Sequence, residues 1–257
     1  MSRTQADPEG ADDGEFRSGF VTVVGRPNVG KSTLVNRIVG EKVSITSRTP
    51  NTTRGRIRGI LHGQHFQAIF VDTPGIHRPK TPLGTRLNKA ATDSLVDVDC
   101  TLFVIDATAP VGRGDRFIAE RLSAGTIIVV NKVDAAKPEE TLGQLAVASE
   151  SLGLDASEFF PVSARTGRGV PELVDEIVRR LPVGPHFYPD DHVRDLPDAA
   201  FVAELVREQL LRVAREELPH AIACRVTEWD WPYIAVEILV ERDSQKAIVI
   251  GKGGSVL

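Results

Sequence analysis

The most informative segment of the chain is Gly25-Arg26-Pro27-Asn28-Val29-Gly30-Lys31-Ser32. An apolar run at residues 20–24 precedes it, and a helical pattern at residues 34–39 follows it. A strand, a glycine-bounded turn ending in Gly-Lys-Ser and a helix form a phosphate-binding P-loop. The glycines let backbone N–H groups surround an anion, and the helix N-terminus adds the positive end of its dipole. The sequence therefore predicts that the chain binds a nucleoside triphosphate.

Two residues of this loop have side chains suited to a triphosphate. Lys31 would bring a positive charge to the terminal phosphates, and the Ser32 hydroxyl would ligate Mg²⁺. A glycine-rich turn without function is the alternative, but it gives no reason for the strand and the helix on either side. The predicted phosphate-binding set comprises Gly25, Arg26, Pro27, Asn28, Val29, Gly30, Lys31, Ser32 and Thr33.

The composition is that of an ordinary globular protein. The 257 residues suit one large domain or one domain with a smaller companion, and the net charge of −4 excludes a broad basic field for nucleic acid. The two cysteines, Cys100 and Cys224, are far apart and have no metal-binding spacing. With no signal peptide and no long apolar run, a reduced, cytoplasmic protein is expected. Residues 1–19 are acidic and almost without apolar side chains, which predicts a disordered tail.

Two segments after the P-loop helix predict a magnesium site that responds to the nucleotide. The polar stretch 40–58 contains Thr52 and Thr53, and a threonine hydroxyl there can reach Mg²⁺ when a terminal phosphate is present. The apolar strand 67–71 ends in Asp72-Thr73-Pro74-Gly75, which places an acid beside the P-loop strand to hold the metal. Gly75 lets its backbone N–H approach the terminal phosphate. The position of this motif after a P-loop argues against a plain turn.

A third motif predicts that the base is guanine. The strand 126–130 ends in Asn131-Lys132-Val133-Asp134, and the Asp134 carboxylate can accept the two N–H donors that guanine offers and adenine does not. Lys132 can lie along the base, and Asn131 can brace the neighbouring loops. After the strand 159–162 come Ser163 and Ala164, where the Ala164 N–H could meet the guanine O6.

The order of the elements predicts a doubly wound α/β sheet. Along the chain, strands and helices are predicted in alternation. The strand segments are continuously apolar, which is typical of strands buried on both faces. One antiparallel step is expected between residues 56–61 and 67–71, so the sheet is mixed. The predicted helices cover residues 83–95, 115–122, 138–152 and 170–181.

The remaining residues predict a second, smaller domain. A proline-rich linker at residues 182–197 leads to a helix at 199–218 and two strands at 221–229 and 233–241. A short segment, residues 245–250, then enters Gly251-Lys252-Gly253-Gly254. Helix, two strands and a Gly-x-x-Gly loop are the parts of a KH domain, whose glycines approach single-stranded RNA and whose lysine meets phosphate. A bare Gly-x-x-Gly turn is the alternative.

The motifs GRPNVGKS, TTR, DTPG, NKVD and SA resemble those of translation-factor-related GTPases, and a single following KH unit resembles the Era family. The resemblance implies residues 20–181 as the GTPase domain and 198–257 as a type II α+β KH domain that stops after its Gly-x-x-Gly loop. It implies GTP hydrolysis with Mg²⁺ held by Ser32, Thr53 and Asp72. Lys31, Thr53, Asp72 and Gly75 would then be the catalytic set. By likeness alone, Asn28 would coordinate an activating K⁺ in place of an arginine finger.

The resemblance also implies the partners, namely the 3′ end of 16S rRNA and the 30S subunit during its assembly. DNA is not an expected partner, and a monomer is expected. Relatives of this kind are also found at the inner membrane surface, although no amphipathic basic helix or lipidation motif indicates it here. Two alternatives stay open: an RNA-binding assembly factor in which hydrolysis is incidental, and a GTPase fragment without RNA binding.

Overall fold

A computed structural model describes residues 15–47, 52–53, 57–75, 98–152, 158–213 and 222–254. The predicted helix at 83–95 and residues 1–14 of the predicted tail lie outside these residues. The prediction of a disordered tail was wrong for residues 17–19, which begin the first strand of the sheet. The chain divides into two compact units. The first comprises Met1–Ser44 and Thr53–Asp195, and the second comprises Ile45–Thr52 and Leu196–Leu257. No helix in the described ranges is long and apolar enough to cross a membrane.

A mixed sheet forms the centre of the first unit. Within the described residues its six strands have the order β2-β3-β1-β4-β5-β6, and every neighbouring pair is parallel except β2 with β3. That pair forms the predicted antiparallel step, which extends to Gly63 opposite Phe66. The strands are β1 (Arg17–Gly25), β2 (Ile57–Gly63), β3 (Phe66–Asp72), β4 (Cys100–Asp106), β5 (Ile127–Asn131) and β6 (Phe159–Pro161).

Helices cover both faces of this sheet, which explains the unbroken apolar runs of its inner strands. In β4, Leu102 and Val104 belong to one hydrophobic cluster, whereas Phe103 and Ile105 belong to the other. Successive strand residues point to opposite faces, so each strand has to be apolar throughout. The helices are α1 (Lys31–Val39), α2 (Arg113–Ala119), α3 (Pro138–Ser151) and α4 (Val170–Arg180).

The predicted linker, residues 182–197, forms hydrogen bonds with strands of the first unit from Pro182 to Asp195. The Pro182 carbonyl accepts the Ser18 N–H at 3.0 Å, and the Val193 carbonyl accepts the Ile60 N–H at 2.9 Å. The Gln67 side-chain oxygen accepts two backbone N–H groups of the same segment, at 2.8 and 3.0 Å. The segment therefore satisfies backbone groups of β2, which would otherwise be an open sheet edge.

In the described residues, the second unit consists of a helix, a β-hairpin and a second helix. Its elements are α5 (Asp198–Val213), β7 (Ala223–Asp230), β8 (Tyr233–Leu239) and α6 (Asp243–Ile250), followed by a 3₁₀ turn at Lys252–Gly254. A small core forms around Leu210, Ile222 and Val249.

Two buried charges on α5 bind Thr46 and Thr52, which belong to the same unit. Arg207 donates to the Thr52 carbonyl at 2.6 Å and pairs with Glu204, while Glu208 accepts the Thr46 N–H at 2.8 Å. Buried charges are tolerated when they are paired and hydrogen-bonded, as both are here.

Candidate guanine nucleotide site

The phosphate loop lies where β1 ends and α1 begins. Gly30 precedes the helix with a φ of 99°, a conformation that favours glycine, and a Cβ there would lie 2.3 Å from the Asn131 side-chain nitrogen. Lys31, Ser32 and Thr33 form the first turn of α1. The helix N-terminus thus opens at the carboxyl end of a central parallel strand, which is the position of anion sites in such sheets.

Lys31 is buried within this loop. Its ammonium group donates to the carbonyl oxygens of Gly25 at 3.2 Å and Arg26 at 3.1 Å. Burial lowers the pKa of Lys31 to about 8, and the charge of Asp72 partly opposes that shift. A phosphate bound here would place its negative charge beside the buried ammonium and favour the protonated form of Lys31.

Four oxygen-bearing side chains meet beside Lys31. The hydroxyls of Ser32 and Ser44 donate to Asp72 Oδ2 at 2.7 and 2.6 Å, and Thr53 Oγ1 lies 3.3 Å from the same oxygen. Ser32 and Thr53 are themselves 3.2 Å apart. The three residues predicted to hold the metal are therefore together, and Ser44 joins them although the sequence did not indicate it.

This cluster has the chemistry that Mg²⁺ requires. Asp72 is fully buried, and its Oδ1 has no hydrogen-bond partner in the part of the chain that the structure describes. Mg²⁺ prefers oxygen ligands and is held by one or two carboxylates together with water and phosphate oxygens. A single aspartate with two hydroxyls fits that pattern, and the described residues contain no group of three or more His, Cys, Asp or Glu side chains that could hold a metal.

Gly75 approaches the phosphate loop closely. A Cβ at this position would lie 2.7 Å from the Pro27 nitrogen and 2.9 Å from its Cα. Contacts that short with backbone atoms exclude any side chain, so only glycine fits here. The residues that follow Gly75, 76–97, lie outside the described residues.

Asn131 braces three loops from the end of β5. Its side chain is buried, its nitrogen donates to the Val29 carbonyl at 2.8 Å, and its oxygen accepts the Ala164 N–H at 2.9 Å. The predicted bracing role is therefore present in the geometry. Because the Ala164 N–H donates to Asn131 here, its contact with the guanine O6 stays a prediction.

The surroundings of Asp134 favour its ionised form. The Ser163 hydroxyl donates to its Oδ1 at 2.6 Å, and Arg165 lies 2.6 Å from its Oδ2. The hydrogen bond from Ser163 is the main cause that lowers the pKa of Asp134, and the charge of Arg165 adds to it. An ionised carboxylate is the form that can accept both N–H donors of guanine.

Lys132 connects the base-recognition loop to the phosphate loop. Its ammonium group donates to the Asn28 carbonyl at 2.7 Å and to Asp106 Oδ2 at 2.5 Å. Burial raises the pKa of Asp106, but hydrogen bonds from Lys132 and Thr108 outweigh burial and hold that pKa below its usual value. Sequence reasoning did not mark Asp106, whose only signal was an acid at the carboxyl end of β4.

Arg26 contributes only backbone to the phosphate loop. Its side chain turns away to Asp115 on α2, with Nε 2.9 Å from Oδ1 of this fully buried carboxylate, although the N–H is not aligned for a hydrogen bond. The second oxygen of Asp115 accepts the Gly112 N–H. Arg26 therefore fixes the position of α2 against the loop.

The predicted RNA contacts form a separate loop in the second unit. Gly251, Gly253 and Gly254 all have positive φ, at 74°, 65° and 79°. A Cβ at Gly253 or Gly254 would meet nothing within 4 Å, so the backbone of the loop is open to approach. Lys252 lies within the same turn.

A P-loop, an oxygen cluster for Mg²⁺ and a braced Asn-Lys-x-Asp motif at the carboxyl ends of one mixed sheet define a P-loop GTPase. A family model described as 50S ribosome-binding GTPase matches residues 20–132. Relatives named GTPase Era are 46–47% identical over 95% of this chain, so the chain belongs to the Era family of GTPases. It is an enzyme that hydrolyses GTP with Mg²⁺.

The relatives that show this membership cover nearly the whole chain. GTPase Era of Mycobacterium tuberculosis is 47% identical over 256 residues, which are 95% of this chain and 85% of that protein. GTPase Era of Mycolicibacterium paratuberculosis is 46% identical over 255 residues with the same coverage. These matches confirm the family resemblance that the motifs indicate.

Two solved structures share the fold. A complex of Era with MgGDPNP and nucleotides 1506–1542 of 16S ribosomal RNA has a TM-score of 0.87 and 37% identity, covering 94% of this chain and 84% of that one. A single-residue variant of Aquifex aeolicus Era bound to GDP·AlF₄⁻ has the same TM-score and identity, with coverages of 94% and 85%. The predicted α/β class and P-loop GTPase sheet are thereby confirmed.

Proposed function

We propose that this GTPase binds the 3′ end of 16S rRNA through the loop Gly251–Gly254 and acts on the small ribosomal subunit during its assembly. The open backbone of that loop carries the proposal, because a nucleotide strand can approach glycines closely and the lysine between them can meet phosphate. The RNA-bound Era structure, which covers 94% of this chain, supports the same assignment.

We propose the following roles for the nucleotide site. Lys31 neutralises the terminal phosphates, while Ser32, Thr53 and Asp72 hold Mg²⁺, which stabilises the charge that develops on those phosphates. Gly75 offers its N–H to the terminal phosphate, and Asp134 accepts the guanine N–H donors. Since catalysis would rest on positioning and charge rather than on a basic side chain, we expect slow intrinsic turnover.

The first experiment measures binding of the 257-residue chain to an oligonucleotide of the 16S rRNA 3′ end, with GDP and with a non-hydrolysable GTP analogue. We expect binding that depends on the nucleotide. Changing Lys252 and Gly253 to Asp should reduce RNA affinity by about tenfold or more, because two carboxylates would face phosphate. Leu142→Ser, at an exposed position of α3, is the control. If RNA affinity is the same with GDP and with the GTP analogue, the alternative of an RNA-binding assembly factor with incidental hydrolysis is favoured.

The base assignment has its own test. Asp134→Asn should shift preference from guanine toward xanthine nucleotides, because an amide can donate to the xanthine carbonyl where the carboxylate accepted from guanine. Ser163→Ala is the matched control, since it removes the supporting hydroxyl and keeps the carboxylate. An unchanged preference in Asp134→Asn would remove this residue from base recognition.

The potassium role of Asn28 is also proposed and separately testable. Asn28 has a φ of 64°, so Asn28→Ala removes the side-chain oxygen and also strains the backbone by about 1 kcal/mol. Asn28→Gly removes the oxygen without that strain. Both variants should lose stimulation of GTP hydrolysis by K⁺ over Na⁺, while GDP affinity changes little in Asn28→Gly. If K⁺ still stimulates GTP hydrolysis in both variants, Asn28 does not coordinate the activating ion. A monomeric state and a cytoplasmic location stay predictions.

A further inference from the structure

Both tryptophans of the chain, and one of its two tyrosines, lie within five consecutive residues, Trp229–Tyr233. These residues form the end of the β7–β8 hairpin. Trp231 and Tyr233 are each 79% exposed, and Trp229 is 45% exposed. Large aromatic side chains are usually mostly buried, and this chain has few of them. Their concentration on an exposed turn indicates an interaction surface.

The strand register places acidic side chains beside one of these rings. Asp230 lies directly opposite Tyr233, and Glu228 lies opposite Ala235. Directly paired residues share a face of the hairpin, and so do residues two positions apart. Tyr233 therefore shares its face with the carboxylates of Glu228 and Asp230. Cys224 and its partner Ile238 point to the opposite face and pack in the core of the unit.

The charge of the hairpin is negative on this outer face. Arg225 is the one basic residue of residues 223–239, and it pairs with Glu237 at 2.5 Å. Glu228 and Asp230 have no ion-pair partner within the described ranges, and both are exposed. The outer face thus combines the exposed Tyr233 ring with two carboxylates that have no ion-pair partner in the described ranges, and the exposed Trp229 and Trp231 adjoin these residues in the chain.

We propose that the hairpin tip, residues 228–233, docks a lysine- or arginine-rich segment of a protein partner. A cation binds favourably over a tyrosine or tryptophan face, and a neighbouring carboxylate strengthens that contact. Tryptophan and tyrosine are also the side chains that most often dominate protein interfaces. The same carboxylates would repel a nucleic-acid backbone and an anionic membrane surface. This inference stands apart from the proposed RNA role of Gly251–Gly254.

The sequence supplies a reporter for the test. Because Trp229 and Trp231 are the only tryptophans of the chain, intrinsic tryptophan fluorescence reports on the tip alone. The full chain is titrated with an oligoarginine peptide and, separately, with single-stranded oligouridine RNA. We expect a saturable change in emission with the peptide that weakens as salt is added, and none with the RNA.

Paired variants separate a specific site from general charge attraction. Glu228→Lys with Asp230→Lys should weaken peptide binding by about tenfold or more, since two attractive charges become repulsive. Glu139→Lys with Glu150→Lys, on exposed α3, makes the same change in net charge and should leave binding unchanged. Tyr233→Ser keeps both reporters and should weaken binding by about fivefold.

Three results would overturn the proposal. If the RNA changes the emission and the lysine variants strengthen its effect, the tip is a nucleic-acid surface. If the charge-matched control loses as much affinity as the tip variants, the attraction is nonspecific. If Asp230→Asn, which keeps size and shape, binds the peptide as well as the unaltered chain, the carboxylate is not part of a cation site. Circular dichroism and GDP binding check that each variant is folded.

Discussion

Asp106→Asn tests whether the carboxylate at the end of β4 controls guanine nucleotide binding through Lys132. Asp106 accepts from Thr108 N–H and hydroxyl on Oδ1, at 2.9 and 2.6 Å, and from Lys132 on Oδ2, at 2.5 Å. Asparagine keeps the acceptor for Thr108 but turns an NH₂ group toward the lysine ammonium. The substitution therefore disturbs only one of the two sets of hydrogen bonds.

The expected cost follows from the environment of this pair. A hydrogen bond to a charged group contributes about 1.5–3 kcal/mol. The Lys132 side chain is 35% exposed, so water can replace part of the lost contact. We therefore expect about 1–2 kcal/mol, equivalent to a loss of about 5- to 30-fold in GDP affinity. The loss should appear mainly in the dissociation rate, because Lys132 would no longer be held against the phosphate loop at Asn28.

The assay is release of a fluorescent GDP analogue from the full chain, compared with calorimetric titration of GDP. Thr108→Val is the matched control: it removes the hydroxyl from the other carboxylate oxygen and should change GDP affinity by less than about threefold. Circular dichroism confirms that each variant is folded. GDP release at the unaltered rate in Asp106→Asn would refute the reasoning, because Lys132 would then need no carboxylate to hold it.

The other predictions concern Gly75, Lys31 and Arg26, which lie in or beside the phosphate loop. Gly75→Ala should lower the rate of GTP hydrolysis by about tenfold or more and leave GDP affinity unchanged, because the added Cβ would meet the Pro27 backbone and displace the Gly75 N–H from the terminal phosphate. Gly143→Ala is the control, since a Cβ there would meet nothing within 4 Å. GDP affinity should fall above about pH 8, since binding requires the protonated Lys31, whose pKa is about 8 in the free site. In calorimetric unfolding, the stability of the nucleotide-free chain should instead rise from pH 8 toward 10.5, because Lys31 binds more protons in the unfolded chain than in the folded one over that range. A GDP affinity that rises with pH would contradict the role of protonated Lys31 in binding. Arg26→Leu should lower the free energy of unfolding by about 3 kcal/mol, because it leaves buried Asp115 without its counter-charge; an equal denaturation midpoint would show that this ion pair contributes nothing.

The motifs could be predicted from the sequence because each is short and lies at the end of a strand. Asp72 and Asn131 end apolar strands, and Lys31 and Ser32 begin the helix that follows the glycine-bounded turn after β1, so the neighbouring elements fix where these side chains emerge. Parallel strands bring their carboxyl ends to one edge, and the chemistry of each motif then identifies its ligand. Spacing along the chain was enough for the fold class, the nucleotide and the metal.

The supporting residues could not be predicted in this way. Ser44 reaches Asp72 across 28 residues of sequence, and Lys132 reaches Asp106 across 26. A serine in a loop and an acid after a strand are common, and only the folded sheet makes them neighbours of the site. The proline-rich segment after residue 181 had the composition of a linker, but the free backbone groups of β2 bind it instead.

Sequence alone was sufficient to predict the phosphate loop, the guanine motif and the alternation of strands and helices, because these depend on local spacing and on which residue types can do the chemistry. Only the packed chain shows that Asp106 holds Lys132, that Asp115 binds the Arg26 side chain, and that both tryptophans are exposed. Those outcomes depend on which distant groups become neighbours and which surfaces stay in water. Burial and long-range contact are properties of the packed chain, and no window of the sequence contains them.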